Sequence, residues 1–210
     1  MDKPLPIIGS PASRIENHEQ LIIEYATESI PSERHPERNG DAILADKKHK
    51  VFGVFDGVGG HKAGAVASQL ARDSILTLLN RISWDIDVNG AKQALSKIII
   101  GADEAMYNAS SSKDENKDMI TTAAVLKIHT NIDGKNWAIV ANVGDSRVYK
   151  ISPDNILQQM TIDDDVLNAS NLDLDVKKES LKISRMLEEK KIWKHSQFFI
   201  MEIDIKLQKL

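Results

Sequence analysis

No cysteine occurs among the 210 residues of this chain. That absence excludes disulfides, thiolate zinc sites and a cysteine nucleophile together. No stretch approaches the roughly 18 consecutive apolar residues that a membrane span requires. The opening Met1-Asp2-Lys3-Pro4 lacks the apolar core of a signal peptide, so a soluble, cytoplasmic protein is expected. Neither sign of charge dominates: 27 basic against 31 acidic residues leave −4, which gives no reason to expect nucleic acid or an anionic membrane as partner. The two glycine-rich phosphate cradles, Gly-x-x-x-x-Gly-Lys-Ser/Thr and Gly-x-Gly-x-x-Gly, are both missing, which argues against a nucleotide-binding loop. The histidines are scattered, and none forms a metal-type pair at helical spacing.

What is present is ordinary for a globular domain: 41% hydrophobic and 28% charged residues, in a chain long enough for one substantial core. Leu21-Ile22-Ile23 and Ala42–Ala45 suggest short strands. Val51–Phe55 suggests a strand buried on both faces, because its apolar run is continuous and ends in a turn. Beyond Asp56-Gly57-Val58-Gly59-Gly60 the apolar residues Val66, Leu70, Ile75, Leu78 and Leu79 recur at helical spacing, with Ser68 and Gln69 on the opposite side. A second helix follows Asn89-Gly90, with Leu95, Ile98, Ile99, Ala102 and Met106 on one face. Ser110–Lys117 is a polar loop.

The period then changes to two. Thr121–His129 and Trp137–Val143 read as strands around the hairpin signal Asp133-Gly134. Val148–Ile151 and Ile156-Leu157 suggest two more, joined through Pro153-Asp154-Asn155. From Val166 onward the pattern is helical, lysine-rich and loosely amphipathic. Its basic residues are interrupted by Glu179, Glu188 and Glu189, as on a solvated helix face. The expected class is α+β, an antiparallel sheet with two long helices packed on it.

Asp56 follows a buried strand and precedes glycines. A carboxylate placed there, beside backbone stripped of Cβ atoms, suits a hard divalent cation that takes carboxylate, carbonyl and water oxygens. A plain tight turn would use the same Asp-Gly pair. Asn39-Gly40-Asp41 likewise makes an ordinary turn by itself. Its place shortly upstream of Asp56 gives it a second reading.

The segment Val54–Gly64 resembles the metal-binding segment of the metal-dependent Ser/Thr protein phosphatases, the 2C-like or PPM family. Asn39-Gly40-Asp41-Ala42, Thr121-Thr122-Ala123-Ala124, Ala141–Tyr149 and Met160–Asp164 are similar to other motifs of that family, in the same order and at similar spacings. By this resemblance Asp56 is catalytic as the ligand that bridges two Mn²⁺ or Mg²⁺ ions, and the Gly57 carbonyl binds one of them. Asp41 matches a carboxylate held in the metals' hydration shell, while Gly40 stands where a glutamate is usual. Val58 stands where many eukaryotic members carry a histidine. A substrate-gripping arginine lies upstream in the family, which makes Arg38 and Arg34 the candidates for the phosphate, since a guanidinium contacts phosphate bidentately. Gly144, Asp145, Ser146 and Arg147 resemble the family's Val-Gly-Asp-Ser-Arg turn, which braces the metal loops.

The resemblance implies a β-sandwich flanked by helices, in α-β-β-α layers, and hydrolysis of phosphoserine and phosphothreonine in proteins phosphorylated by a Ser/Thr kinase. Residues 1–165 match part of such a domain, and 166–210 do not follow it. The two later aspartate motifs of complete members have no counterpart. Weak or single-ion binding follows from that ligand count, and the strands that the missing part supplies in complete members imply a sandwich with exposed edges. The alternatives are a pseudophosphatase that binds phosphoproteins or a kinase, and a non-functional fragment. Codons for Phe199–Lys209 read one base earlier permit His-Asn-Gly-Asn-Arg-His-Lys-Ile-Thr-Lys-Ala, similar to a family segment. A frameshift upstream of Phe199 is therefore expected.

Overall fold

The computed structural model describes residues 13–16, 22–33, 36–58, 63–112, 119–163 and 201–204. The chain divides between Asn39 and Gly40 into two compact units. In the first, β1 (Ser13–Glu16) pairs antiparallel with β2 (Ile22–Tyr25). The expected edge strand around Ile22-Ile23 thus forms a two-stranded ribbon.

The second unit is built on a five-stranded antiparallel sheet. Its members in chain order are β3 (Ala42–Asp46), β4 (Val51–Phe55), β7 (Ala123–Thr130), β8 (Asn136–Val143) and β11 (Met201–Asp204). Across the sheet the order is β11-β8-β7-β4-β3. A tight turn joins β3 to β4, closed by Lys50 in the left-handed region at φ 54°. The Asp46 carboxylate stabilises this turn by accepting the Lys48 N–H at 3.0 Å. Asn131–Lys135 join β7 to β8. Here Gly134 takes φ 79° and its N–H donates to the Asn131 carbonyl at 2.9 Å, as the Asp-Gly signal predicts.

One face of this sheet carries two helices, α1 (Ala63–Leu79) and α2 (Val88–Ser112). Asp87 caps α2: its carboxylate accepts the Gly90 N–H at 2.7 Å, satisfying a donor the helix cannot. Leu95, Ile98, Ile99 and Ala102 bury the expected stripe against Leu44, Val51, Phe55, Val125 and Ile139. The α+β class and the antiparallel sheet with a two-helix layer are therefore present. The polar stretch from Ser110 does not begin as a loop, because α2 runs on to Ser112.

The inner face of α1 differs from the expectation. Val66 is 40% exposed, whereas Ser68 is fully buried with Ala67, Ala71, Ile75 and Leu79. The first turns of α1 lie against backbone, not against large side chains, and small residues allow that approach. Ser68 also donates its hydroxyl to the Gly40 carbonyl at 2.6 Å, which makes its burial affordable.

The strand expected over Thr121–His129 breaks at Thr122. Ile120–Thr121 form β6, which pairs with β5 (Gly57–Val58) apart from the main sheet. The two strands expected around Pro153 form, as β9 (Tyr149–Ile151) and β10 (Leu157–Gln159), and pair only with each other. Ile151, Ile156 and Leu157 on this ribbon are all more than 60% exposed. Of the tail expected to be helical, only Met201–Asp204 lie among the described residues. There the backbone is a strand whose Met201 pairs with Val140 and Asp204 with Trp137.

Candidate metal centre

Asp56 sits where β4 ends and β5 begins, and its main chain is held on both sides. Its N–H donates to the Thr122 hydroxyl at 3.1 Å. Its carbonyl accepts the Thr122 N–H at 2.9 Å and the Thr121 hydroxyl at 3.0 Å. Three hydrogen bonds from the β6–β7 junction therefore fix the backbone that carries the carboxylate, while the side chain faces solvent.

Asp41, at the entrance to β3, lies beside Asp56. Desolvation at this loop, though the side chain keeps solvent contact, pushes its carboxyl above the usual range. The negative charge of Asp56 and a hydrogen bond between the two carboxyl groups act in the same direction. A carboxyl group whose ionisation is made costlier by a second carboxylate beside it belongs to a donor set that a divalent cation relieves.

Glycine makes this junction possible. A Cβ on Gly64 would stand 2.3 Å from the Gly57 carbonyl oxygen, and one on Gly40 would stand 2.7 Å from it. A Cβ on Gly57 would meet the Gly64 oxygen at 2.0 Å. The loop before β3, strand β5 and the first turn of α1 thus touch backbone to backbone, with the Gly57 carbonyl between Gly40 and Gly64. The glycine at position 40 has a physical reason here, because a larger residue would enter this contact.

The Ala141–Tyr149 motif reaches the site through Thr122. The Ser146 and Thr122 hydroxyls lie 2.5 Å apart. Gly144 takes φ 90°, and a Cβ on it would meet the Thr122 methyl at 2.9 Å. Its carbonyl accepts the side-chain amide of Asn142 at 3.1 Å, an asparagine 1% exposed. Gly144 and Ser146 therefore bear on Asp56, one residue removed. Arg147 turns elsewhere: its Nε donates to Asp163 at 2.8 Å, its Nη2 donates to the same carboxylate, and together they hold that carboxyl below the usual range. Asp145 stays exposed. Thr161 accepts the Val148 N–H at 3.1 Å, so the two downstream motifs close on each other.

Arg38 belongs to the first unit and is half-buried there. Arg34, Gly59, Gly60 and His61 lie outside the described residues. Among the described residues no third acidic or imidazole side chain completes a metal cluster with Asp41 and Asp56. Sequence reasoning missed Ser68 and the junction role of Thr122. Ser68 had a signal, a hydroxyl beside alanines one helical turn into α1. For Thr122 only the doubled Thr121-Thr122 hinted at it.

An antiparallel sheet with a two-helix layer, and an acidic pair on glycine loops at one sheet end, define the class as a PPM-type phosphatase fold. Residues 24–170 match the Protein phosphatase 2C family, and the chain belongs to that family. The serine/threonine phosphatase stp of Listeria innocua is 29% identical over 141 residues, covering 67% of this chain and 53% of that protein. The chain spans about half the length of the curated relatives it matches. The crystal structure of a bacterial serine phosphatase is 30% identical with TM-score 0.54, over 64% of this chain and 53% of that one. The catalytic domain of the serine threonine protein phosphatase PstP, solved with two manganese ions, shares the fold at 18% identity. Its TM-score is 0.55, over 93% of this chain and 70% of that one.

Proposed function

We propose that this chain carries the Asp56 half of a metal-dependent protein phosphatase site, acting on phosphoserine and phosphothreonine in proteins phosphorylated by a Ser/Thr kinase. The observation that carries the reading is the Asp41–Asp56 pair set over the Gly40–Gly57–Gly64 contact. Asp56 would hold a Mn²⁺ or Mg²⁺ ion, with the Gly57 carbonyl as a second oxygen and Asp41 reached through water. Family membership and the manganese-bound fold relative support the choice of a divalent cation.

A bound cation of this kind lowers the pKa of a coordinated water and offsets charge on the phosphoryl oxygens. The protein's own contribution is positioning. Thr121 and Thr122 hold the Asp56 backbone, Ser146 and Gly144 hold Thr122, and Ser68 holds the Gly40 carbonyl. Two carboxylates balance one divalent ion and not two, so the residues described here fit a single cation.

That count favours a second reading, a phosphoprotein-binding module with little turnover. One experiment separates the readings: Mn²⁺ titration by calorimetry beside Mn²⁺-dependent hydrolysis of a phosphoseryl peptide, on the wild type and Asp56→Ala. Saturable binding with hydrolysis, both lost in the variant, supports the phosphatase. Metal and peptide binding without hydrolysis supports the binding module. Unchanged Mn²⁺ binding in the variant overturns the metal centre.

A further inference from the structure

Exposure alternates along the chain from β4 into β5. Gly53 and Phe55 are buried and Gly57 is half-buried, whereas Val54, Asp56 and Val58 are exposed. The pairing register explains the alternation. Val54 lies opposite Ala124 and Gly57 opposite Thr121, three residues on along one strand and three back along the other. No residue is therefore inserted at Asp56, although the ladder changes sheet there. An unbroken period of two puts Val54, Asp56 and Val58 in one row, with neighbours roughly 7 Å apart. The row lies on the side opposite Phe55, which belongs to the helix-covered core.

Each valine in the row has a β-branched residue directly across from it. Ile43 of β3 lies opposite Val54, and Ile120 of β6 lies opposite Val58; both isoleucines are half-buried. Directly opposed residues of an antiparallel pair share a face. The Asp56 carboxylate is thus bracketed along the row by two apolar pairs, one before it and one after it.

Single exposed apolar residues are ordinary on a protein surface. Val54 at 48% and Val58 at 54% exposure differ in being set at equal distances on either side of the carboxylate. That spacing is the repeat of an extended polypeptide, in which residues two apart point the same way. A segment whose phosphorylated residue stands over Asp56 therefore brings its second neighbours on each side onto the two apolar pairs. Val and Ile are stiff at χ1, so their surfaces lose little side-chain freedom when covered.

We propose that the site takes its phosphoseryl and phosphothreonyl segments in extended form and selects those with an apolar residue two positions to either side of the phosphorylated one. This inference rests on the reading of Asp56 as the metal-binding carboxylate and adds to it the sequence class of the substrate.

The probes are four fluorescein-labelled peptides of equal charge that carry the phosphonate analogue of phosphoserine, so that binding is read without turnover. They differ only at the second residue on each side: leucine at both, leucine at one, leucine at the other, or serine at both. Anisotropy in Mn²⁺ should show the double-leucine peptide binding about tenfold more tightly than the double-serine one, and each single-leucine peptide about threefold more tightly. Val54→Ser should erase the gain of one single-leucine peptide and Val58→Ser that of the other. Both valines are exposed, so both variants should fold, and both should keep the Mn²⁺ affinity of the wild type in calorimetry. Equal affinity for the four peptides with Mn²⁺ binding intact overturns this proposal alone, as does a leucine gain that survives both variants. Absence of Mn²⁺ binding by the wild type overturns the metal centre and this proposal with it.

Discussion

The two ends of strand β4 are built on opposite plans. At its Asp56 end three glycines bring backbone segments into contact, and two carboxyl groups stand side by side, Asp56 opposing the ionisation of Asp41. At its Lys50 end long side chains converge on a cavity, and the excess charge is positive. One strand thus separates a site defined by missing side chains from one defined by large ones. Substitutions should consequently fail in different ways: added atoms at the first end, removed charges at the second.

The largest effect is expected for Asp56→Ala, which should abolish Mn²⁺ binding and whatever phosphopeptide turnover the chain has. Residual Mn²⁺-dependent turnover above the no-enzyme rate would break the assignment. Gly64→Ala should come next. Its methyl cannot avoid the Gly57 oxygen without moving backbone, so a loss of about 1–3 kcal/mol is expected in urea unfolding. An unchanged midpoint would mean that the glycine contact is looser than described.

Lys127 sharpens the contrast through pH. Its folded pKa of about 7 lies below its unfolded value of 10.5. Between these values the unfolded chain binds more protons than the folded one, so stability rises with pH, by at most about 1.4 kcal/mol per unit for one proton. Unfolding curves from pH 7 to 10 should show this slope flattened in Lys127→Met. A steeper slope in the variant would contradict the burial of the charge. The smallest change is expected for Ser146→Ala, which removes one hydroxyl bond to Thr122 and should cost about 1 kcal/mol. Its Mn²⁺ affinity should fall only modestly, because Asp56 keeps its three backbone bonds; a loss as complete as that of Asp56→Ala would make Ser146 a ligand.

Much of the acidic end was legible in the sequence, because it is local. A continuous apolar run, Val51–Phe55, ending in Asp56-Gly57 announces both a buried strand and a carboxylate at its tip. The Asp133-Gly134 hairpin and the Leu95–Ala102 stripe were legible for the same reason: turn chemistry and periodicity act over a few residues. The face of α1 was not, since hydrophobic spacing assumes a side-chain neighbour and Ser68 packs on the Gly40 carbonyl instead. The basic end was hidden for another reason. Period two places Lys127 on the inward face of β7, but only the fold brings Lys50 and Trp84 to meet it. Asp163 as the partner of Arg147 was equally out of reach, being a contact across the β9–β10 ribbon.

Strand β11 carries a consequence for the order of assembly. The β7–β8 ladder closes over the five residues Asn131–Lys135, whereas the pairing of Met201 with Val140 spans 61 positions, the difference of the two numbers. Closing a longer loop costs more chain entropy, and contacts of long separation form late. On a ribosome the outer edge of β8 must wait, unpaired, until residues 201–204 have emerged. In the finished protein the same ladder is the one expected to open first, so amides at the β8–β11 boundary should exchange with solvent hydrogen faster than those between β7 and β4.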